Sequence, residues 1–214
     1  MNIKMDDELK SSIMKTGTTI LGIVCKDGVI MAADRRGTAG GIVMGKNMEK
    51  VLPINDYILM AGCGIAMEIQ KIPKILAAEL KLKELRSKTR PSIKQAVNLL
   101  SNLRVSGQSA FLLGGFDEDG TVELYSTDPV GHITKVEDYD ANFGSGMPYV
   151  LGLLERQYKK GISVDEGIKL AIESLKSSTQ RDTASGNGID VFTITKSGIK
   201  KVVSQEIQAN YKED

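Results

Sequence analysis

Histidine is almost missing from this chain. His132 is the only one among 214 residues, and it lies between Gly131 and Ile133 in what reads as a polar hairpin turn. With no Gly-x-Ser-x-Gly elbow anywhere in the sequence, a histidine-based hydrolytic triad is excluded. Cysteine is scarce as well. Cys25 and Cys63 show neither metal-ligand nor disulfide-framework spacing, and they read as small buried hydrophobes of a reducing cytoplasm. Neither sign of charge is in surplus: 28 Lys and Arg face 27 Asp and Glu, for a net charge of +1. That balance removes any electrostatic reason to bind nucleic acid or an anionic membrane. Long apolar runs are lacking too. The longest, Tyr57 to Met67, is too short to span a bilayer. Residues 1–17 contain Asp6, Asp7, Glu8 and Lys10 and no continuous apolar block, so they are not a secretory signal.

What is present is enough for one substantial core in a single domain. Thr18 to Val24 and Val29 to Ala33 read as strands of a hairpin turning at Lys26-Asp27-Gly28. Thr38 to Val43 reads as one further strand, and Lys50–Ile54 with Tyr57–Gly62 as a hairpin around Asn55-Asp56. After Gly64 the period changes to that of a long amphipathic helix through Ile72, Ile75, Leu76 and Leu80, with Pro73 tolerated near its first turns. A second helix follows Pro91-Ser92. Strands return at 110–116, 121–127 and 132–136, then helices at 147–159 and 164–180, and a last hairpin closes around Lys196-Ser197-Gly198. Ser163-Val164-Asp165-Glu166 is the capping box that opens the final helix. Strands, two helices, strands, two helices, strands is not the alternation of a parallel doubly wound sheet. It predicts an α+β fold, a four-layer αββα sandwich of two antiparallel sheets with helices on both outer faces.

Two short motifs compete for the chemistry. Gly40 to Asn47 matches a phosphate loop except at its last position, where Asn47 replaces the metal-binding hydroxyl, and Pro53 arrives before a helix could run. An ordinary β-turn is the better reading. The other motif is Gly17-Thr18-Thr19, a glycine followed by two threonines at the head of a buried strand. A threonine hydroxyl needs a base to become a nucleophile, and without histidine one available base is the threonine's own α-amino group, free once the chain is cut before it. Its ordinary pKa of about 7.7–8 leaves a useful neutral fraction near pH 7. Cleavage between Gly17 and Thr18 would make residues 1–17 a prosegment that keeps the amine locked as an amide. Glycine suits that cut because it leaves the carbonyl unshielded, and water must serve as base for it.

Thr18-Thr19, followed by Gly28-Val29-Ile30-Met31-Ala32-Ala33-Asp34-Arg35-Arg36, resembles the start of proteasome β subunits, archaeal ones above all. Lys46 to Val51, Ala61 to Gly64, Gly144-Ser145-Gly146 and Arg181 to Gly186 agree in order over nearly all of residues 16–195. The resemblance implies the αββα sandwich of N-terminal-nucleophile hydrolases and a threonine endopeptidase without metal or organic cofactor. It implies a prosegment over 1–17 and a catalytic domain over 18–214. It also implies Thr18 as nucleophile, Asp34 and Lys50 as its charged pair, and Ser145, Asp182 and Ser185 as the group that orients the Thr18 amine. Gly64 would stabilise the oxyanion through its N–H, and Thr38 and Ala66 would pair with the substrate backbone. Gly62 would line a roomy pocket with walls from Met48 and Cys63. The partners implied are proteasome α subunits, further β subunits in stacked seven-membered rings, an ATPase acting through the α ring, and unfolded protein as substrate. A structural ring subunit that keeps its prosegment, and a bacterial two-ring threonine peptidase, are the rival readings. The sequence departs from the pattern at Ile20, over Val105–Ser109, and at Gly186-Asn187-Gly188, where little chemical consequence is expected.

Overall fold

Strand β1 (Ile20–Cys25) and strand β2 (Gly28–Asp34) form the antiparallel hairpin expected at the start, with Lys26-Asp27 as its turn. Both faces of β2 are buried. Ile30 and Ala32 face one apolar layer, while Val29, Met31 and Ala33 face another. A strand apolar on both sides needs a covering layer on each, and this requirement sets the number of layers. The computed structural model describes residues 17–103 and 107–206. The expected prosegment, Gly17 excepted, and part of Val105–Ser109 lie outside them.

One five-stranded sheet has the order β10-β1-β2-β11-β12, with β10 at Tyr139–Asp140, β11 at Gly188–Thr195 and β12 at Gly198–Glu206. The other runs in chain order through β5 (Val51–Asn55), β6 (Ile58–Cys63), β7 (Ala110–Phe116), β8 (Val122–Thr127) and β9 (Ile133–Val136). The ladders of both sheets are antiparallel. Ile20, Met31, Leu59, Leu112 and Leu124 fill the space between the sheets. Helices α1 (Ala66–Ser87) and α2 (Ile93–Ser101) cover the second sheet, packing Leu76, Leu80 and Val97 on Met60, Phe111 and Leu113. Helices α3 (Met147–Gln157) and α4 (Val164–Arg181) cover the first, packing Val150, Leu154 and Leu175 on Leu21, Ile23 and Ile30. The αββα sandwich read from the sequence is the architecture found. No helix of the described residues is long and apolar enough to cross a membrane.

The capping box of α4 forms as expected, with the Ser163 N–H donating to Glu166 Oε2 at 2.8 Å and the Glu166 N–H to Ser163 Oγ at 3.3 Å. Three details differ from expectation. The single strand over Thr38–Val43 is instead a hairpin of β3 (Gly37–Ala39) and β4 (Ile42–Gly45), because Gly40 adopts φ 60° and reverses the chain. The near phosphate loop is therefore a hairpin leading into β5. Pro73 lies inside α1, whose first residue is Ala66, so the Ile69 carbonyl has no amide four residues on to accept from. Strand β10 has only two residues, too few for periodicity to reveal, yet it pairs with Gly22 and Ile23.

Leu112 is fully buried between the sheets whereas Ile42 is 67 % exposed. Leu112→Ala is expected to cost about 2–5 kcal/mol of folding stability, and Ile42→Ala no more than about 0.5 kcal/mol. Urea unfolding of the two variants beside the parent chain checks this, and equal midpoints for all three would contradict the assigned core.

Candidate active site

The carboxylate at the end of β2 is shared among four donors. Asp34 Oδ1 accepts from Lys50 Nζ at 2.6 Å and from the Thr19 N–H at 2.8 Å, while Oδ2 accepts the N–H groups of Arg36 at 2.9 Å and Gly186 at 3.0 Å. Asp34 is 1 % exposed and Lys50 5 %. A buried ion pair persists only where such donors replace the lost water. Burial pushes the Lys50 ammonium below the ordinary lysine range, against the opposing pull of Asp34.

A second line of hydrogen bonds begins at Thr18. Its N–H donates to Ser145 Oγ at 3.0 Å, and Ser145 Oγ donates to Asp182 Oδ2 at 2.6 Å. The same carboxylate oxygen accepts from Ser185 Oγ at 2.5 Å, and Ser185 Oγ lies 2.7 Å from Thr19 Oγ1. Since the Thr19 N–H returns to Asp34, one connected group links Thr18, Ser145, Asp182, Ser185, Asp34 and Lys50. The six residues expected from the sequence to act together are thus brought together, although they come from the ends of β2 and α4, the approach to β5 and the turn before α3.

Local structure explains the convergence. Asp182 caps the C-terminus of α4, and its Oδ1 accepts the Ala184 N–H at 3.1 Å, which folds the chain back so that Ser185 reaches the same carboxylate. Ser145 sits in the turn before α3. The Gly146 that follows it is pressed against Thr19 Oγ1 and Ser178, with no room for a side chain, and its N–H donates to the Thr18 carbonyl at 3.2 Å. Thr18 Oγ1 donates to the Gly17 carbonyl oxygen at 2.6 Å, so the hydroxyl lies beside the carbonyl of the preceding bond. The Gly17 N–H in turn donates to Thr38 Oγ1 at 2.9 Å.

The remaining expected residues are more scattered. Gly64 follows β6 with φ 116°, a conformation suited to glycine, and a side chain there would meet the Gln108 carbonyl. Ala66 is the exposed first residue of α1. Met48 is half-buried, donates its N–H to the Arg35 carbonyl at 2.9 Å, and helps line a cleft of about 730 Å³ with Leu52, Gln70, Arg35 and Glu49. Gly62 does not line that cleft. A side chain there would touch the Phe111 ring at 3.1 Å and Ile69 at 3.2 Å, so the glycine faces packed core rather than the open space read from its smallness. Cys63 is buried, its Sγ 3.4 Å from the Asn142 carbonyl oxygen, and burial pushes its thiol up to about 11.

Sequence reasoning passed over three participants. Thr19 holds both halves of the network, a role its position beside Thr18 could have suggested. Arg36 donates from Nε to Asn187 Oδ1 and from Nη1 to the Thr183 carbonyl, both at 2.7 Å, tying the Asp182–Ser185 turn to the end of β2. Asn187 therefore has a consequence that its reading as a neutral departure did not anticipate. At φ 58° it takes the left-handed conformation that asparagine tolerates, and its side chain meets the guanidinium.

Comparison with known proteins agrees with this geometry. A family model described as proteasome subunit matches residues 14–194. The chain is 43 % identical over 190 residues to a proteasome subunit beta of Nanoarchaeum equitans, covering 86 % of this chain and 96 % of that protein. It is 38 % identical over 198 residues to proteasome subunit beta 1 of Thermococcus kodakarensis, covering 90 % and 96 % of the two. With proteasome subunit beta of Methanocaldococcus jannaschii the identity is 39 % over 201 residues, covering 92 % and 89 %. A sandwich of two antiparallel sheets between helices, and likeness of this extent, place the chain in the proteasome family, among its β subunits.

Proposed function

We propose that this chain is a threonine endopeptidase, with Thr18 as its nucleophile once the Gly17–Thr18 bond has been cut by the chain itself. The observation that carries this reading is the pair of bonds made by Thr18: its hydroxyl to the Gly17 carbonyl oxygen, and its nitrogen into the Ser145–Asp182–Ser185 group. In the first cut, water accepts the hydroxyl proton, Oγ1 attacks the Gly17 carbonyl carbon, and the C–N bond breaks as the nitrogen takes up a proton. Water then hydrolyses the resulting ester, releasing residues 1–17 and a free amine, and leaves 18–214 as the catalytic domain. In peptide hydrolysis the neutral amine is the base. It removes the Thr18 proton as Oγ1 attacks a substrate carbonyl, passes that proton to the leaving amine, and later activates the water that cleaves the acyl-enzyme.

Lys50 supplies positive charge that favours the alkoxide-like oxygen and holds the amine's affinity for protons down, with Asp34 as its counter-ion. The Gly64 N–H is assigned to the oxyanion, a role suited to a residue with no side chain in the way. Thr38 and Ala66 flank the course of a bound strand, and Met48, at the edge of the cleft it lines with Leu52 and Gln70, shapes the ground beside the scissile bond. Assembly into a multi-subunit complex goes with the family. The form proposed is stacked seven-membered rings enclosed by α subunits in the cytoplasm, fed with unfolded protein by an ATPase, with neither metal nor organic cofactor.

Intact-mass measurement of the complex assembled with α subunits is expected to show a chain beginning at Thr18, and Thr18→Ala to keep residues 1–17 and to lack peptidase activity. A parent chain still beginning at Met1 would instead support a purely structural β subunit. Since the base must be unprotonated, kcat/KM is expected to rise with pH through the amine's pKa, at or below its ordinary value of about 7.7–8. A profile flat from pH 6 to 9 contradicts an amine base.

Asp34→Asn leaves the buried ammonium without a counter-charge and is expected to cost on the order of 3–5 kcal/mol of stability at pH 7. Burial lowers the folded pKa of Lys50 and Asp34 opposes that shift, so loss of the Asp34 charge lowers it further, and between the variant's and the parent's folded values the variant alone gains stability as pH rises. The deficit of Asp34→Asn should therefore shrink between pH 7 and pH 10, which denaturant unfolding at the two values reads directly. A deficit unchanged by pH removes the charge argument.

A further inference from the structure

Thr19 has a fully buried side chain, and among the described residues the hydrogen-bonding partner of its hydroxyl is Ser185 Oγ at 2.7 Å. The direction of that bond follows from its surroundings. Ser185 has one hydroxyl proton, and its short bond to Asp182 Oδ2 uses it. Thr19 must then be the donor and Ser185 the acceptor. The order of donation is Thr19 to Ser185 to Asp182, with Ser145 donating to the same Asp182 oxygen and accepting from the Thr18 nitrogen. Gly146 packs closely against Thr19 Oγ1, which limits the room the hydroxyl has to turn away. The backbone of Thr19 is fixed independently, through its N–H to Asp34.

We infer that Thr19 is a positioning residue for the Thr18 amine, acting through Ser185 and Asp182; the inference rests on the threonine-nucleophile reading above. A hydroxyl that accepts a hydrogen bond becomes a stronger donor, because each bond in a chain polarises the next. Thr19 thereby strengthens the hold of Ser185 on the Asp182 carboxylate and disperses its negative charge. Without that donation Asp182 presents more concentrated charge toward Ser145 and the amine beyond it. Such a field favours the protonated amine, the form that cannot act as base. The hydroxyl of Thr19 touches neither substrate nor reacting atoms in this scheme; it sets the proton affinity of the group that does.

The test compares Thr19→Val, Thr19→Ala and Thr19→Ser in the assembled complex, each first shown by intact mass to begin at residue 18. With a fluorogenic peptide, Thr19→Val and Thr19→Ala are expected to lower kcat at pH 7 by about tenfold with KM within twofold of the parent. The rising limb of kcat/KM should move to higher pH, and Thr19→Ser should restore both. Should the valine methyl, set against Gly146 and Ser185, prevent assembly, the alanine variant answers alone. Processed Val or Ala variants with the parent's kcat and pH profile overturn the inference. So does a Thr19→Ser chain as impaired as Thr19→Ala, which would make the contribution one of packing. In a Ser185→Ala background, Thr19→Ala should add no further loss, and an additive loss would also overturn it. These results are separable from failure of the parent reading, which shows itself as activity in Thr18→Ala or as a parent chain never cut at Gly17–Thr18.

Discussion

Everything near Thr18 depends on a carboxylate that has no access to water. Asp34 ends a strand buried on both faces, where an unpaired charge would not be tolerated. Its four donors arrive from the start of β1, from its own strand end, from the turn after α4 and from the lysine before β5. Each of those segments is tied to the others through this one group. The ion pair with Lys50 thus joins the two sheets at the edge of their shared core, and the same carboxylate that pairs with the lysine fixes the backbone of the residue beside Thr18.

The layered architecture explains why the polar group can exist there. The inter-sheet space is filled by aliphatic side chains over most of its extent, from Leu124 and Leu112 to Ile20. Where β1 begins and β2 ends, the apolar filling gives way to Thr18, Thr19, Asp34, Lys50 and Ser185, all buried. In such a low-dielectric setting a fully partnered network is rigid and specific, whereas a half-partnered one would destabilise the fold. Glycines on the neighbouring turn let the backbone approach closely enough to complete it, as Gly146 does against Thr19.

The layer order was legible in the sequence because the hydrophobic period changes clearly at Gly64, again before Ala110 and once more before Met147. The β3–β4 hairpin was missed because Thr38, Ile42 and Val43 read as one strand, although the Gly40-Gly41 pair between them is a turn signal and Gly40 takes φ 60° there. The charged pair and the serine–aspartate group were recognised through resemblance to a family rather than through any periodic signal. Spacing along the chain cannot show that residues 34, 50 and 182 meet. The parts that escaped were relational: a threonine hydroxyl that is ordinary in a strand until Ser185 lies 2.7 Å from it, and an asparagine that matters because Arg36 reaches it. Gly62 misled for the opposite reason. A small residue reads as open space, but Phe111 and Ile69 already occupy its neighbourhood.

The Thr18 nitrogen has a consequence of its own. As an amide it already donates to Ser145 Oγ, the atom that would face the amine of the proposed mature chain. On the cleavage proposed, the acceptor, its aspartate and the hydroxyls behind them would therefore have no need to rearrange. The orientational entropy of aligning them is lost during folding rather than at the reaction. The proposed maturation would exchange one covalent substituent for hydrogen inside a solvation shell that has already set, sparing the reorganisation that a water-filled site would demand at each turnover.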